Sequence, residues 1–496
     1  MKKIKIAQIT TEVTPFSKSG GLADVANGLP RALDRQGHDV IIITPLYNKI
    51  IDKKRHKLKI VYKNIKVYFN SRDAIRINYY KGYLQTGVPV YFVECKKYFG
   101  RKKTLYGSSH ENARFLVFNV AALKLLSILK FEADIIQCHD WMTGLIPFYL
   151  KTDFRYSKTL RKAKTIFTIH NLIFQFGKNW WEVPPEKKDY GKKRIPHLND
   201  PNLEYINFAK RAILSADAIS TVSEQYSKEI LTRHFGQDLN RILKNRKDRL
   251  FGIVNGISYK DFNPDQDLGL YKKYNYRNIK RKKLNKKYLQ KMFKLPQDEN
   301  MPVIGMVMRI SYQKGFDLLF DTIDDIMNLG VQIIIMGGAD KYYRDKIKKF
   351  IKKYPKQINA HLKFNTKDAT KVYAGADIFL MPSHLEPCGI TQLIAMRYGS
   401  VPIVRHVGGL IDTVQDYNPE TKKGNGFVFK NYDSQELLIS VVRAVEYFKN
   451  KKLWRGLIVR IMQESHSWGE PAKKYVSLYK KVMKFKNGNG KNKKNK

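Results

Sequence analysis

Short apolar runs, separated by polar or glycine-rich segments, recur along this chain. Residues 4–9, 39–44, 89–94, 134–138, 165–169, 218–222 and 250–254 have the length and β-branched content of buried strands. Segments 22–36, 111–129 and 207–215 place apolar residues at helical spacing between several of them. Such alternation predicts a parallel sheet covered on both faces. Residues 265–298 are polar and rich in Tyr, Asn and Lys, and read as a surface connection containing a helix. A second alternating set follows at 303–308, 331–336, 361–365, 378–381 and 401–404. The fold class predicted is α/β, with two doubly wound Rossmann-like domains facing a central crevice. Ligands of such sheets bind at the carboxyl ends of the strands.

Composition changes this picture little. The 496 residues are too many for one ordinary core, and 43% are hydrophobic. Lys+Arg is 92 against Asp+Glu 44, a formal net charge of +48. An anionic partner such as nucleic acid would explain that excess, but the lysines are spread along the chain rather than gathered on one tail. The reading adopted is therefore compositional bias, with no nucleic-acid partner. Cys95, Cys138 and Cys388 are isolated and lack metal-ligand spacing. No metal and no cofactor are expected. The first residues alternate apolar with Lys and Gln, unlike a signal segment, and no run approaches a membrane span. A cytoplasmic protein without membrane insertion is expected.

The candidate chemistry sits at the predicted strand ends. The run 376–381 leads into Pro382-Ser383-His384-Leu385-Glu386-Pro387-Cys388-Gly389-Ile390-Thr391-Gln392, which offers a carboxylate, a thiol, a glycine and a hydroxyl before a helical pattern. Lys18-Ser19-Gly20-Gly21 follows the first strand and opens a helix, a place suited to phosphate or to an ordinary turn. Asp140, after the 134–138 strand, either orients a ligand or N-caps the turn beginning at Trp141. His170-Asn171 ends the 165–169 strand, and His170 either is structural, as a lone His after a strand more often is, or donates to a sugar hydroxyl or a carbonyl. Arg309 and Lys314 follow the 303–308 strand and form either a diphosphate clamp or a solvated basic loop. Gly408-Gly409 either cradles phosphate or turns the chain.

Together these segments resemble the bacterial glycogen synthase and plant starch synthase family, retaining glucosyltransferases of the GT-B fold. The resemblance runs from about Lys5 to Tyr479. Lys18 to Asp24 is similar to that family's K-T-G-G-L-A-D signature. His139-Asp140-Trp141, Thr168 to Leu172, Asn255-Gly256-Ile257, Arg309 with Gln313-Lys314-Gly315, Glu386 to Gly389 and Gly408-Gly409-Leu410 follow in the family's order. The resemblance implies transfer of glucose from ADP-glucose to the nonreducing 4-OH of glycogen or another α-1,4-glucan, with retention. It implies that Lys18, Arg309 and Lys314 hold the diphosphate, helped by backbone N–H groups near Gly20, Gly21 and Thr391. Glu386 and Cys388 would contact the donor glucose, Asp140 the reacting centre and His170 the sugar hydroxyls. By the same resemblance Asp140, His170, Glu386, Arg309 and Lys314 form the catalytic set. Gly389, Asn171, Asn255, Gly408 and Gly409 complete the substrate-binding set.

The departures are Ser19 for the usual Thr, Met142 after Trp141, Glu224 after Ser223, Ser258 after Ile257, and Ile394 where many retaining GT-B enzymes carry a second Glu. Other readings are a UDP-glucose-dependent synthase, a transferase acting on a lipid or protein acceptor, and a glucan-binding scaffold without activity. The expected domains are 1–260 (acceptor and catalytic), 261–464 (nucleotide sugar), a helix at 465–483 returning to the first domain, and a disordered basic tail at 484–496. Because the implied ligands are split between two domains, closure around the donor is expected, with hinges near 255–264 and 465–468.

Overall fold

The computed structural model describes residues 3–69, 74–100 and 103–485. Of the expected disordered tail, Lys484 is the C-cap of the last helix and 486–496 lie outside the described residues. The chain divides into two compact units, one of Met1–Val222, Ser227–Ile253 and Trp468–Lys496, the other of Ser223–Tyr226 and Val254–Ser467.

The first unit is built on β1 (Lys5–Ile9), β2 (Asp39–Pro45), β3 (Lys59–Tyr68), β4 (Ala74–Tyr83), β5 (Pro89–Glu94), β6 (Ile135–His139), β7 (Lys164–Ile169), β8 (Ala218–Thr221) and β9 (Leu250–Gly252). They form one sheet in the order β3-β4-β5-β2-β1-β6-β7-β8-β9. Only β4 runs antiparallel to its neighbours. Helices cover the parallel strands, so β6 and β8 are buried along their whole length and read as apolar runs rather than alternating ones. The β3–β4 hairpin was not among the predicted strands. Its outer strand is an exposed sheet edge carrying Lys59, Lys63 and Lys66, and such charged edges do not look like strands in sequence.

The second unit carries β10 (Val303–Val307), β11 (Gln332–Met336), β12 (Ile358–His361), β13 (Ile378–Met381), β14 (Val401–Arg405) and β15 (Phe427–Phe429), all parallel, in the order β12-β11-β10-β13-β14-β15. The strand expected at 361–365 lies three residues earlier, because Asn365 instead caps the helix Thr366–Gly375 by accepting from the Lys367 N–H.

Each sheet has one point where its winding reverses. The chain leaves β1 toward β2 and later returns on the other side of β1 with β6. In the second sheet β10 stands between β11 and β13 in the same way. Loops leaving the two strands at such a point diverge to opposite faces, so a crevice opens at their carboxyl ends. The loops after β1, β6, β10 and β13 are those that carry Lys18, Asp140, Arg309 and Glu386.

The 265–298 connection is less superficial than its composition suggests. Its helix, Lys282–Met292, packs on the helix Thr366–Gly375 and buries Lys282, Asn285, Lys286, Leu289 and Gln290. Lys282 Nζ donates to the carbonyls of Tyr373, Ala374 and Ala376 at 3.3, 2.8 and 2.8 Å, satisfying the end of that helix from within the core. Lys286 pairs with Asp377 at 2.7 Å, just before β13. Replacing Lys282 with Met keeps the length of the side chain and takes the donor from the Ala374 carbonyl, while the Tyr373 and Ala376 carbonyls keep the Ser400 hydroxyl at 2.8 and 2.6 Å. Chemical denaturation should show a loss of about 2 kcal/mol or more. Unchanged stability would mean that water reaches this helix end.

Candidate active site

In the first unit the loop after β1 is organised by a residue that sequence reasoning passed over. Glu12 is 4% exposed, and its carboxylate accepts from the backbone N–H groups of Ser19 and Gly20 at 2.5 and 3.1 Å and from the Tyr106 hydroxyl at 2.7 Å. Burial holds its carboxyl above the usual range. The Gly20 N–H, expected to face a phosphate, thus already has an anionic partner. Gly20 itself is extended, and a Cβ there would meet nothing within 4 Å, so neither backbone conformation nor packing demands glycine. Open space over a glycine at a helix start is what close approach of a ligand requires. Lys18 Nζ lies 2.7 Å from both carboxylate oxygens of Asp24 in the first turn of the helix Gly21–Arg35. The signal for Glu12 was its position, a lone carboxylate between the first strand and a glycine pair.

At the end of β6, Asp140 does not cap the following turn. Its Oδ1 accepts from the His170 N–H at 2.7 Å and the Asn171 N–H at 3.4 Å, both at the end of β7. The capping reading fails because the backbone at Asp140 has φ 57° and ψ 176°, which turns the side chain toward the neighbouring strand. That conformation is essentially reserved for glycine and costs on the order of 1–3 kcal/mol in other residues. Strain of this kind gathers at ligand sites, where the surrounding structure enforces it. Burial pushes the Asp140 carboxyl up from 3.8 to about 7, against the two N–H donors, and the Glu12 charge adds to the rise. Burial also drives the imidazole of His170 down to about 3, so it is neutral. Its Nε2 sits 2.9 Å from Nδ1 of His139, a buried neighbour in the same strand-end motif as Asp140.

In the second unit, Arg309 leaves the end of β10 exposed to solvent and has no hydrogen bond or ion pair among the described residues. Lys314 is held 2.5 Å from Glu386 Oε2, which also accepts from the Ser383 hydroxyl at 3.0 Å. The carboxylate side of this pair is 6% exposed. Gln313 joins the two loops, its carbonyl accepting from the His384 N–H at 2.9 Å. Arg405 Nε donates to the Ser383 carbonyl at 2.8 Å and braces the same loop from β14. Gly408 and Gly409 serve this loop too. A Cβ on Gly408 would stand 2.1 Å from the Glu386 carbonyl, and one on Gly409 2.4 Å from that of Cys388. The Gly409 N–H is spent on the Glu386 and Pro387 carbonyls. The glycine pair, read from sequence as a phosphate cradle or a turn, is here the floor on which Glu386 and Cys388 rest. Burial raises the Cys388 thiol to about 12, so it stays protonated, and Asn255 hydrogen-bonds it. Among the described residues the buried Asn255 Oδ1 and Gln392 Oε1 have no hydrogen-bond partner. Thr391 turns its hydroxyl onto the Met381 sulfur at 3.3 Å, and Gly389, at φ 72°, packs on Gln392.

Residues 5–245 match the starch synthase catalytic domain and residues 288–452 the group 1 glycosyl transferases. A glycogen synthase of Thermosipho melanesiensis is 39% identical over 97% of this chain and 99% of its own. One from Clostridium perfringens is 39% identical over 97% of this chain and 99% of its own. Among solved structures, the catalytic domain of starch synthase IV from Arabidopsis thaliana, bound to ADP and acarbose, superposes with a TM-score of 0.87 at 30% identity, covering 97% of this chain and all of that one. Sucrose-phosphate synthase from Thermosynechococcus elongatus shares the fold at a TM-score of 0.60 and 18% identity, over 97% of this chain and 99% of that one. The architecture is therefore GT-B.

The backbone at Asp140 can be tested without substrate. Asp140→Ala and Asp140→Gly both remove the carboxylate, but only glycine relaxes the positive φ. The glycine variant should be the more stable of the two by about 1 kcal/mol, the reverse of their usual order. Greater stability of the alanine variant in denaturant titrations would mean that the turn is unstrained.

Proposed function

This chain belongs to the glycogen and starch synthase family of glucosyltransferases, and on that premise we propose that it transfers glucose from ADP-glucose to the nonreducing 4-OH of an α-1,4-glucan such as glycogen, with retention. The observation that carries this reading is the charge arrangement after β10 and β13. Lys314 rests on the buried Glu386 carboxylate after β13, and Arg309, exposed at the end of β10, has no ion pair among the described residues, which gives the two loops two cations. A leaving diphosphate needs such cations, and Arg309 brings the forked geometry that grips phosphate oxygens. Lys18 supplies a third positive charge in the first unit.

Each remaining residue has a proposed task. Glu386 accepts from hydroxyls of the donor glucose once Lys314 turns to the phosphates. The thiol of Cys388, being protonated, is a small neutral neighbour for the sugar. The unpartnered Oδ1 of Asn255 and the N–H groups near Gly21 and Thr391 complete the binding set. Asp140 lies beside the reacting carbon, where its negative charge favours an oxocarbenium-like state. Retention by double displacement needs a carboxylate free to attack. Here Glu386 is assigned to the donor hydroxyls, and the Asp140 carboxylate is tied to the end of β7 by two backbone donors. Front-face substitution fits better, with the bond from C1 to the leaving phosphate breaking as the acceptor oxygen bonds to C1 on the same face. The departing phosphate takes the acceptor's proton. Among the described residues no helix is long and apolar enough to cross a membrane, and a cytoplasmic setting suits these substrates.

Three measurements check this. Glucose should pass from ADP-glucose to glycogen at an undiminished rate in EDTA; strict dependence on Mg²⁺ would overturn the metal-free part, and equal efficiency with UDP-glucose the donor assignment. No turnover with either donor would leave a glucan-binding scaffold. Arg309→Ala and Lys314→Ala should each lower kcat about a hundredfold, a loss of about 3 kcal/mol. Near-normal kinetics in both would mean a solvated basic loop. For Asp140 the pH dependence has a definite sign. With the folded carboxyl raised to about 7, kcat/KM of the free enzyme should climb as pH rises through that value, and the residual rate of Asp140→Asn should be flat there. The same shift means the folded state holds this proton more tightly than the unfolded one. Asp140's contribution to stability is therefore lost as pH rises from about 4 to about 7. A wild-type profile without that limb would remove Asp140 from the reacting centre.

A further inference from the structure

A row of polar side chains crosses the first sheet where apolar ones are the rule. Gln8 on β1, Gln137 and His139 on β6, Thr168 on β7 and Ser220 on β8 are each at most 1% exposed. Tyr479, fully buried on the C-terminal helix Gly469–Met483, joins them. Burying such groups is costly unless they are hydrogen-bonded, and here they bond to one another.

The chemistry of the amides gives the row a direction. Gln8 Nε2 donates to Gln137 Oε1 at 3.0 Å and to the Tyr479 hydroxyl at 3.3 Å. That hydroxyl donates to Gln137 Oε1 at 2.5 Å, and Gln137 Nε2 donates to Thr168 Oγ1 at 2.7 Å. Thr168 Oγ1 pairs with Ser220 Oγ at 2.8 Å. On the other side, Gln8 Oε1 lies 2.6 Å from His139 Nε2, and His139 Nδ1 lies 2.9 Å from His170 Nε2. A carbonyl oxygen only accepts, so His139 carries its proton on Nε2. Its Nδ1 is then a lone pair, and His170 must donate to it from Nε2. The lengths agree with this direction. O–H···O bonds are shorter than N–H···O bonds, and the tyrosine lies closer to Gln137 Oε1 than to Gln8 Nε2. His170 Nδ1, with no hydrogen-bond partner among the described residues, is left as a bare acceptor. Burial keeps both imidazoles neutral, which the row requires, since an imidazolium would donate from both nitrogens.

We infer that Gln8, Gln137, His139 and Tyr479 are positioning residues that hold His170 as its Nε2–H tautomer and so present Nδ1 as an acceptor for a sugar hydroxyl. Sequence reasoning expected His170 to donate; the row reverses that role. It also gives the C-terminal helix a task in the site, since Tyr479 reaches His170 through Gln8 and His139. The part concerning the sugar rests on the proposed donor, whereas the tautomer does not.

Nitrogen-15 NMR of the full chain labelled at histidine reads the tautomers directly, with His139→Gln and His170→Gln assigning the signals. Both rings should be Nε2–H tautomers in the free protein. Gln8→Met removes the carbonyl that orders the row, and both signals should move toward a tautomer mixture. Tyr479→Phe, which keeps its ring, should give a smaller shift of the same kind. The donor kcat/KM should fall about tenfold in the first variant and about threefold in the second, mainly through KM. Donors with single hydroxyls replaced by fluorine supply the last arm. At the position His170 contacts, fluorine should weaken binding as much as hydrogen does, because fluorine cannot donate. An Nδ1–H signal for His170 in the wild type would overturn the proposal. So would tautomers unchanged in both variants, or a fluorinated donor that binds normally where the deoxy sugar does not. Because the tautomer is read without any sugar, a failed ADP-glucose assay overturns the donor reading and not this one.

Discussion

The hydrogen bond from the His170 N–H to the Asp140 carboxylate fastens together the ends of two parallel strands. β6 and β7 stop pairing at this point, and a backbone donor that loses its ladder partner needs another acceptor. Asp140 supplies it from an adjacent strand, and only a positive φ brings the side chain across. Everything else in the first unit's site follows from that crossing. It directs the His170 ring toward His139, and it leaves a carboxyl with a raised pKa beside the loop that Glu12 has already folded.

The second unit solves the opposite electrostatic problem. A cluster proposed to receive phosphate carries excess positive charge by itself, and an internal counter-charge offsets it. Glu386 provides it for Lys314, while Arg309 remains solvated and needs none. In the first unit Asp24 does the same for Lys18, and Glu12 does the equivalent for the Ser19 and Gly20 N–H groups. Three elements expected to meet a ligand anion thus each hold a carboxylate of the chain. Ligand binding is then an exchange of partners rather than the filling of bare charge, which favours anions of matching geometry over any anion.

Much of this was legible in the amino-acid order. A strand covered by helices on both faces is a short apolar run, and a loop at its carboxyl end is a predictable place for chemistry, so Asp140, His170, Arg309 and Glu386 stood out by position. The β3–β4 hairpin did not, because lysines and Arg76 interrupt its apolar residues, so no continuous apolar run marks it. The buried helix at Lys282–Met292 was misplaced for a related reason. Lys282 and Lys286 are interior donors beside exposed Lys283, Lys287 and Lys291, and in a chain so rich in lysine nothing local separates the two kinds.

What the sequence determined by itself was the alternation of strands and helices, the two sheets, and the residue types gathered at their strand ends, because these depend on period and on neighbours a few positions away. What only the tertiary structure decided was which groups face one another. Gly408 and Gly409 proved to be a floor for the Glu386–Cys388 backbone, Asp140 a strand-end acceptor rather than a cap, and Gln8, Gln137 and Tyr479 members of one buried row. Tyr479 lies 471 positions from Gln8. A hydrogen bond over that separation leaves no local pattern, because its partners are set by strand register and helix packing and only the folded chain brings them within 3 Å or so of one another.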